Sequence, residues 1–219
     1  MFLTASKRGV GERGMSMLAG SMIDHFDLCL APSGADARQL RAKTKSPDKV
    51  VTTGPMSDTG VASPCDEEEL HAQAENLSSR PVWLALRPDL DEIPAIEAAH
   101  REAARSAHRL LLLVALDDPA NASKVAEHFE NAGWRTARRS KNEKPTSEVQ
   151  VYIADAEANE TDEEIWFRLS PIVFLGGTLS GQGAIDPFRP AAHGAALVAG
   201  PQTAPMSARF DRLLRASAI

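Results

Sequence analysis

The run FLGGTLSGQGAIDPFRPAAHGAALVAGP, Phe174 to Pro201, gathers the residue types from which a ligand-binding corner is made. An apolar start reads as a strand, and a proline-flanked helix start and a second apolar strand follow. Between them Gly176, Gly177, Gly181 and Gly183 let the backbone come close to a ligand. Arg189 stands where such a corner is expected to present a carboxylate. The segment GQGAID from Gly181 fails the dinucleotide fingerprint, because Asp186 takes the third glycine's place. TLSGQ is no nucleophile elbow either, since Thr178 occupies its first glycine position. His100 and His108 fall on one amphipathic segment without acidic or cysteine neighbours at ligand spacing, which predicts solvated positions and no metal site. Two acidic features remain. EANETDEE, Glu157 to Glu164, follows a strand and reads first as a charged helix start favoured by the helix dipole, and second as a source of a carboxylate at the ligand edge. Asp117 and Asp118 sit at a strand-to-helix turn, where capping accounts for one of them.

The elements that must position these residues follow from the apolar pattern. FDLCLA, KVVTTG, VWLALR, LLLLVAL, VQVYIAD, IVFLGG and AALVAG are short Val/Leu/Ile-rich runs, and amphipathic stretches of helical spacing separate them. Ser33, Asp66 and Asp118 mark helix starts, and Gly133 closes the helix before WRTARRS. Near-continuous apolar strands joined by helices imply an α/β, doubly wound, Rossmann-like parallel sheet with ligands at the carboxyl ends of its strands. Residues 1–22 read as a lead-in and residues 23–219 as one domain. ASPCDEEE and RSKNEKPTSE are the clearest loops.

A net charge of -6 argues mildly against nucleic acid or an anionic bilayer as the main partner. The two cysteines, Cys29 and Cys65, are too few for a disulfide framework or a cysteine metal site. LLLLVAL is far too short to cross a bilayer, and MFLTASKRGV lacks the order of a signal peptide, so the chain reads as cytoplasmic. No cofactor is expected.

Taken in order, FDLCLAPSGADARQLRA, RPVWLAL, AAHR, GWRTARRS, IWFRLSPIVFLGGTL and DPFRPAAHGAALVAGP resemble the carboxyl-terminal half of bacterial 3-deoxy-D-manno-octulosonic acid (Kdo) transferases. The resemblance implies the second, donor-binding domain of a two-domain GT-B glycosyltransferase. It further implies CMP-Kdo as the nucleotide sugar and a lipid A precursor as acceptor, at the cytoplasmic face of the inner membrane in lipopolysaccharide assembly. Donor-binding positions on this view are Gly176, Gly177, Thr178, Gly181, Gln182, Gly183, Asp186 and Arg189, with Arg87, Asp117 and Asp118 from neighbouring turns.

The chain departs from the family at its ligand turns. For G-G-S-L and H-G-G-H-N-x-L-E-P-A it keeps Gly176, Gly177, Thr178, Leu179, Gly183, Pro190 and Ala191. Gln182 and Ile185 replace the histidines, Asp186 the asparagine and Arg189 the glutamate. R-H-P-E-R becomes Asp117 to Asn121, S-T-H-x-G-E becomes Arg87 to Glu92, and G-N-x-K becomes Gly54 to Ser57. The D-T-x-G-E turn near Asp155 is lengthened and lacks its glycine. Two aspartates where an Arg-His pair should face a phosphodiester oppose the donor by about 1 to 4 kcal/mol. The family's general base and acceptor surface lie in its first domain, so this chain by itself is expected to be inactive. Two rivals follow: a non-catalytic binding or assembly module, self-associating through surface that a first domain would cover, and a transferase of another nucleotide sugar.

Overall fold

The computed structural model describes residues 2–4, 23–53, 62–77, 80–155 and 160–216. The chain divides into two units, Met1–Asp58 and Thr59–Ile219. The first unit is a three-stranded parallel sheet, ordered β1 (Phe2–Thr4), β2 (Leu28–Ala31), β3 (Val50–Thr52). Helix α1 (Gly34–Arg41) connects β2 to β3. Cys29, Ala31, Ala37, Leu40, Val50 and Ile23 form its small core. FDLCLA and KVVTTG thus belong to a sheet of their own, and the Pro/Gly/Ser-rich run that follows them is where a linker is expected.

The second unit carries α2 (Glu67–Leu77), β4 (Val82–Leu86), α3 (Ile93–Ser106), β5 (Leu111–Ala115), α4 (Ala122–Asn131), β6 (Thr136–Arg138) and β7 (Val151–Ala154). It continues with α5 (Glu160–Leu169), β8 (Ile172–Leu175), α6 (Phe188–Ala192), β9 (Ala196–Val198) and α7 (Ser207–Arg215). Its six strands are all parallel, in the order β6-β7-β5-β4-β8-β9. Alternate residues of β5 enter different cores. Leu111, Leu113 and Ala115 pack with Ile165, Trp166 and Phe167 of α5 and with Phe210 and Leu213 of α7. Leu112 and Val114 pack with Ile93 and Ile96 of α3 and with Val125 and Phe129 of α4. A strand covered on both sides has no polar face, which is why these runs read as continuous rather than alternating. Rossmann-like winding is the architecture observed.

Local signals acted where expected. The Ser33 hydroxyl accepts from the Asp36 N–H, Asp66 accepts from the Glu68 and Glu69 N–H groups, and Asp118 accepts from the Ala120 N–H. Gly133 takes φ of +89° just beyond α4. Strand β6 is unanticipated: Thr136, Ala137 and Arg138 lack an apolar run, and only pairing to Val151–Ile153 makes them a strand.

His100 corrects the reading of a solvated histidine. It is completely buried, its ring lies 4.6 Å from that of Trp134, and its Nδ1 accepts from the Trp83 indole N–H at 3.1 Å. Burial pushes it down to about 4 from 6.5, against the opposing pull of the Gln150 backbone and Glu97. The folded chain thus refuses a proton that the unfolded chain accepts. Stability is full above pH 6.5 and falls as pH drops toward 4. Wild type should lose about 2 kcal/mol between pH 7 and pH 5 from this group. In urea unfolding at the two pH values, His100→Phe should remove most of that difference; an unchanged difference would contradict the assignment.

Candidate functional site at the carboxyl ends of strands β4 and β8

From β4 the chain passes to β5 on one side, and it later returns to place β8 on the other. In open parallel sheets such a reversal leaves a crevice beyond the strand ends. Two turns meet there. Arg87 follows β4 with φ of 44°, its N–H donating to the Ala115 carbonyl at 2.7 Å. Gly176 follows β8, and its N–H donates to the Leu86 carbonyl at 2.9 Å.

Glycine is obligatory in this corner for two reasons. A Cβ on Gly176 would stand 2.1 Å from the Arg87 carbonyl oxygen, so no side chain fits between the strands. Gly177 takes φ of +72°, and its Cβ would stand 2.4 Å from the Gly183 carbonyl oxygen. Thr178 supports the corner from behind. It is fully buried, its hydroxyl donates to the Leu175 carbonyl at 2.6 Å, and it accepts from the Gly200 N–H at 2.8 Å. Gly181 donates its N–H to the Gly177 carbonyl at 3.1 Å, and Gln182 beyond it is exposed.

A chain of ion pairs crosses the crevice. Glu163, on α5, accepts from Arg87 Nε at 2.5 Å and from Arg189 Nη1 at 2.6 Å. Its neighbour Glu164 accepts from Arg189 Nη2 at 3.0 Å and lies 2.5 Å from His193 Nε2. Arg87 also pairs with Asp117 at 3.2 Å. Both glutamates are buried, while each of the two arginine side chains keeps 32% of its surface exposed. Burial pulls the Arg189 guanidinium down, yet Glu164 and Glu163 outweigh it and hold the group above its ordinary value. Arg189 additionally lies 5.5 Å above the Phe167 ring.

These contacts place the expected residues. Arg87 and Arg189 converge on the two oxygens of one carboxylate. Asp118 serves as the cap and Asp117 as an ion-pair partner, so the two aspartates divide along the lines that capping suggests. Asp186 accepts from the Phe188 N–H at 3.1 Å and is bridged by Arg209 of α7. The acidic run behaves differently from a charged helix start: Glu163 and Glu164 face inward to basic partners, because Arg87, Arg189 and His193 are what make their burial tolerable. Glu157 to Asn159 and Gly54 to Ser57 lie outside the described residues.

Sequence reasoning missed Glu92 as a site residue. Its carboxylate, 1% exposed, accepts from the Gly177 and Leu179 N–H groups of the glycine corner at 2.8 and 2.7 Å. A signal was present, since Glu92 is the residue of the diverged Arg87–Glu92 turn that still matches the last letter of S-T-H-x-G-E. Asp155 was a second omission. It is buried against Arg138 and Ser140 at the end of β7. A shallow recess beside it is lined by Ala115, Leu116, Arg139, Asp162, Glu163 and Trp166.

Six parallel strands wound on both faces, with a glycine turn at the strand reversal, define a Rossmann-like domain of the kind that forms the second half of GT-B glycosyltransferases. No protein-family model matches the chain. Over 124 residues it is 29% identical to the 3-deoxy-D-manno-octulosonic acid transferase of Haemophilus influenzae, a match covering 57% of this chain and 28% of that protein. Among solved structures it resembles the C-terminal CMP-Kdo binding domain of WaaA from Acinetobacter baumannii, with a TM-score of 0.62 and 25% identity, over 69% of this chain and 77% of that one. The chain is thus similar to a Kdo transferase in sequence and to the C-terminal CMP-Kdo binding domain of such a protein in fold. Its match spans little more than a quarter of the length of that curated relative. Among the described residues, no helix is long and apolar enough to cross a membrane.

Proposed function

We propose that the unit Thr59–Ile219 holds a nucleotide-activated sugar, CMP-Kdo by likeness to its relatives, over the carboxyl ends of β4 and β8. The observation that carries this reading is the glycine corner itself: Gly176 and Gly177 pack too closely against Arg87 and Gly183 for any other residue, in the crevice where such folds bind ligands. The donor carries a phosphodiester and a sugar carboxylate. Arg87 and Arg189 are the cations at the rim that would meet them, and guanidinium forks suit both groups. In a Kdo-transferase-like protein the sugar would pass to a lipid A precursor at the cytoplasmic face of the inner membrane. By the same likeness, the other half of such an enzyme supplies the base that deprotonates the acceptor hydroxyl.

One observation favours a second reading, a binding or assembly module without transferase activity. Glu163 and Glu164 already neutralise Arg189, and Glu163 and Asp117 neutralise Arg87, so an anionic donor must compete with built-in carboxylates.

Calorimetric titration of the chain with CMP and with UDP separates the two. The donor reading predicts saturable binding of CMP in preference to UDP. Glu163→Gln, which releases both guanidiniums from a charged partner, should tighten CMP by about tenfold, or 1.4 kcal/mol. Arg189→Glu should abolish binding. Absence of heat for either nucleotide, with a native circular dichroism spectrum, would establish the module reading.

A further inference from the structure

The amide nest of the glycine corner already holds an anion. Glu92 ends the turn after β4, and both of its carboxylate oxygens are fully engaged by backbone donors. Oε2 accepts from the Asp89 N–H at 3.0 Å and the Gly177 N–H at 2.8 Å. Oε1 accepts from the Leu179 N–H at 2.7 Å and the Ser180 N–H at 3.3 Å. An ionised carboxylate offers about four acceptor places, so this one has none left for a ligand. Converging backbone N–H groups of this kind form concavities that bind phosphate in glycine-rich nucleotide sites. Here the concavity is filled by the protein's own side chain. The arrangement is braced from outside, because the Ser180 hydroxyl donates to Asp89.

We propose that Glu92 is the positioning residue of the corner, a built-in carboxylate that takes the place a ligand phosphate would occupy and locks the turn after β8 onto the turn after β4. The consequence concerns specificity and rests on the donor reading above. The anionic groups of the nucleotide sugar are read by side chains at the outer rim, Arg87 and Arg189, and not by the amides of residues 177–180. The glycines provide close packing and shape, while the arginines provide charge recognition. Fusing two turns across the strand reversal also fixes Arg87, five residues before Glu92, relative to the corner.

The test follows the backbone amides of the full ¹⁵N-labelled chain. In wild type, the Gly177, Leu179 and Ser180 signals should not move on addition of sodium formate or inorganic phosphate. In Glu92→Ala they should shift, exchange with solvent at least about tenfold faster, and return saturably toward their wild-type positions when formate is added. A merely structural role would not give rescue by a free carboxylate. Glu92→Gln keeps the side-chain shape with one acceptor oxygen, so one pair of amides should stay and the other should move. Wild-type amides 177–180 that respond to phosphate would overturn the proposal, as would a folded Glu92→Ala protein with those amides unmoved. If Glu92→Ala does not fold, the wild-type titration alone decides. CMP distinguishes this proposal from the donor reading: no CMP binding by a wild-type protein with a closed nest rejects the donor reading and leaves Glu92 as the nest's anion. CMP that displaces Glu92 from the amides rejects the role assigned to Glu92 and leaves the donor reading intact.

Discussion

Gly176→Ala should destabilise the chain by at least about 3 kcal/mol and disable the corner, among the largest single effects open to this sequence. The added Cβ would stand 2.1 Å from the Arg87 carbonyl oxygen, 2.4 Å from its carbon and 2.6 Å from the Leu86 carbonyl oxygen. All three are backbone atoms, so no rotamer change relieves the contact. Relief requires β4 and β8 to part where Leu86 pairs with Leu175, and β4 is an interior strand that also pairs with β5. Gly133→Ala supplies the comparison. Gly133 has φ of +89° but open space around its Cβ, which leaves only the backbone strain of about 1 to 2 kcal/mol. Urea unfolding of both variants would check the ranking. Equal losses would mean that close packing between β4 and β8 is not what Gly176 provides.

The second large effect is expected at Asp155→Ala, about 3 to 5 kcal/mol. The Asp155 side chain has no exposed surface, and Arg138 Nη2 pairs with it at 2.8 Å. Arg138 Nε donates to the same oxygen, Oδ2, at 2.8 Å, the Ser140 hydroxyl donates to it at 2.7 Å, and the Ser140 N–H donates to Oδ1 at 2.8 Å. Removing the carboxylate leaves a largely buried guanidinium without its charge partner. Burial alone would raise the Asp155 carboxyl, but the Ser140 and Arg138 bonds outweigh it and hold the group below its ordinary value. Its contribution is therefore present above the unfolded carboxylate range and is lost as pH falls through the lower folded value. Unfolding free energies measured from neutral to acid pH should show Asp155→Asn losing that acid-dependent component. An Asp155→Ala protein within 1 kcal/mol of wild type would contradict the assignment.

Fold and site differ in how far the sequence exposes them. Ser33, Asp66 and Asp118 act within three residues of themselves, so the caps could be read directly. The runs Val82–Leu86 and Leu111–Ala115 are apolar throughout, and burial on both faces is the only arrangement that suits them. The division of the strands between two sheets was harder, because nothing local distinguishes a strand of one parallel sheet from a strand of another. Strand β6 was invisible for a related reason: Thr136, Ala137 and Arg138 owe their state to β7. Glu163 and Glu164 show the limit most clearly. Read locally they are two acids near the start of a helix, and only Arg87, 76 residues earlier, and Arg189, 26 residues later, turn them into the buried centre of an ion-pair chain. Arg189 in turn looked like a lost acceptor until its compensating carboxylates came into view.

Whether the glycine corner is a nucleotide site is tested most directly by titrating the ¹⁵N-labelled chain with CMP. Saturable shifts centred on Arg87 to Glu92, Gly181 to Gly183 and Phe188 to Ala192 are expected. Shifts confined to residues 23–53 or to the amino ends of the strands, or none at saturating CMP in a folded protein, would contradict it.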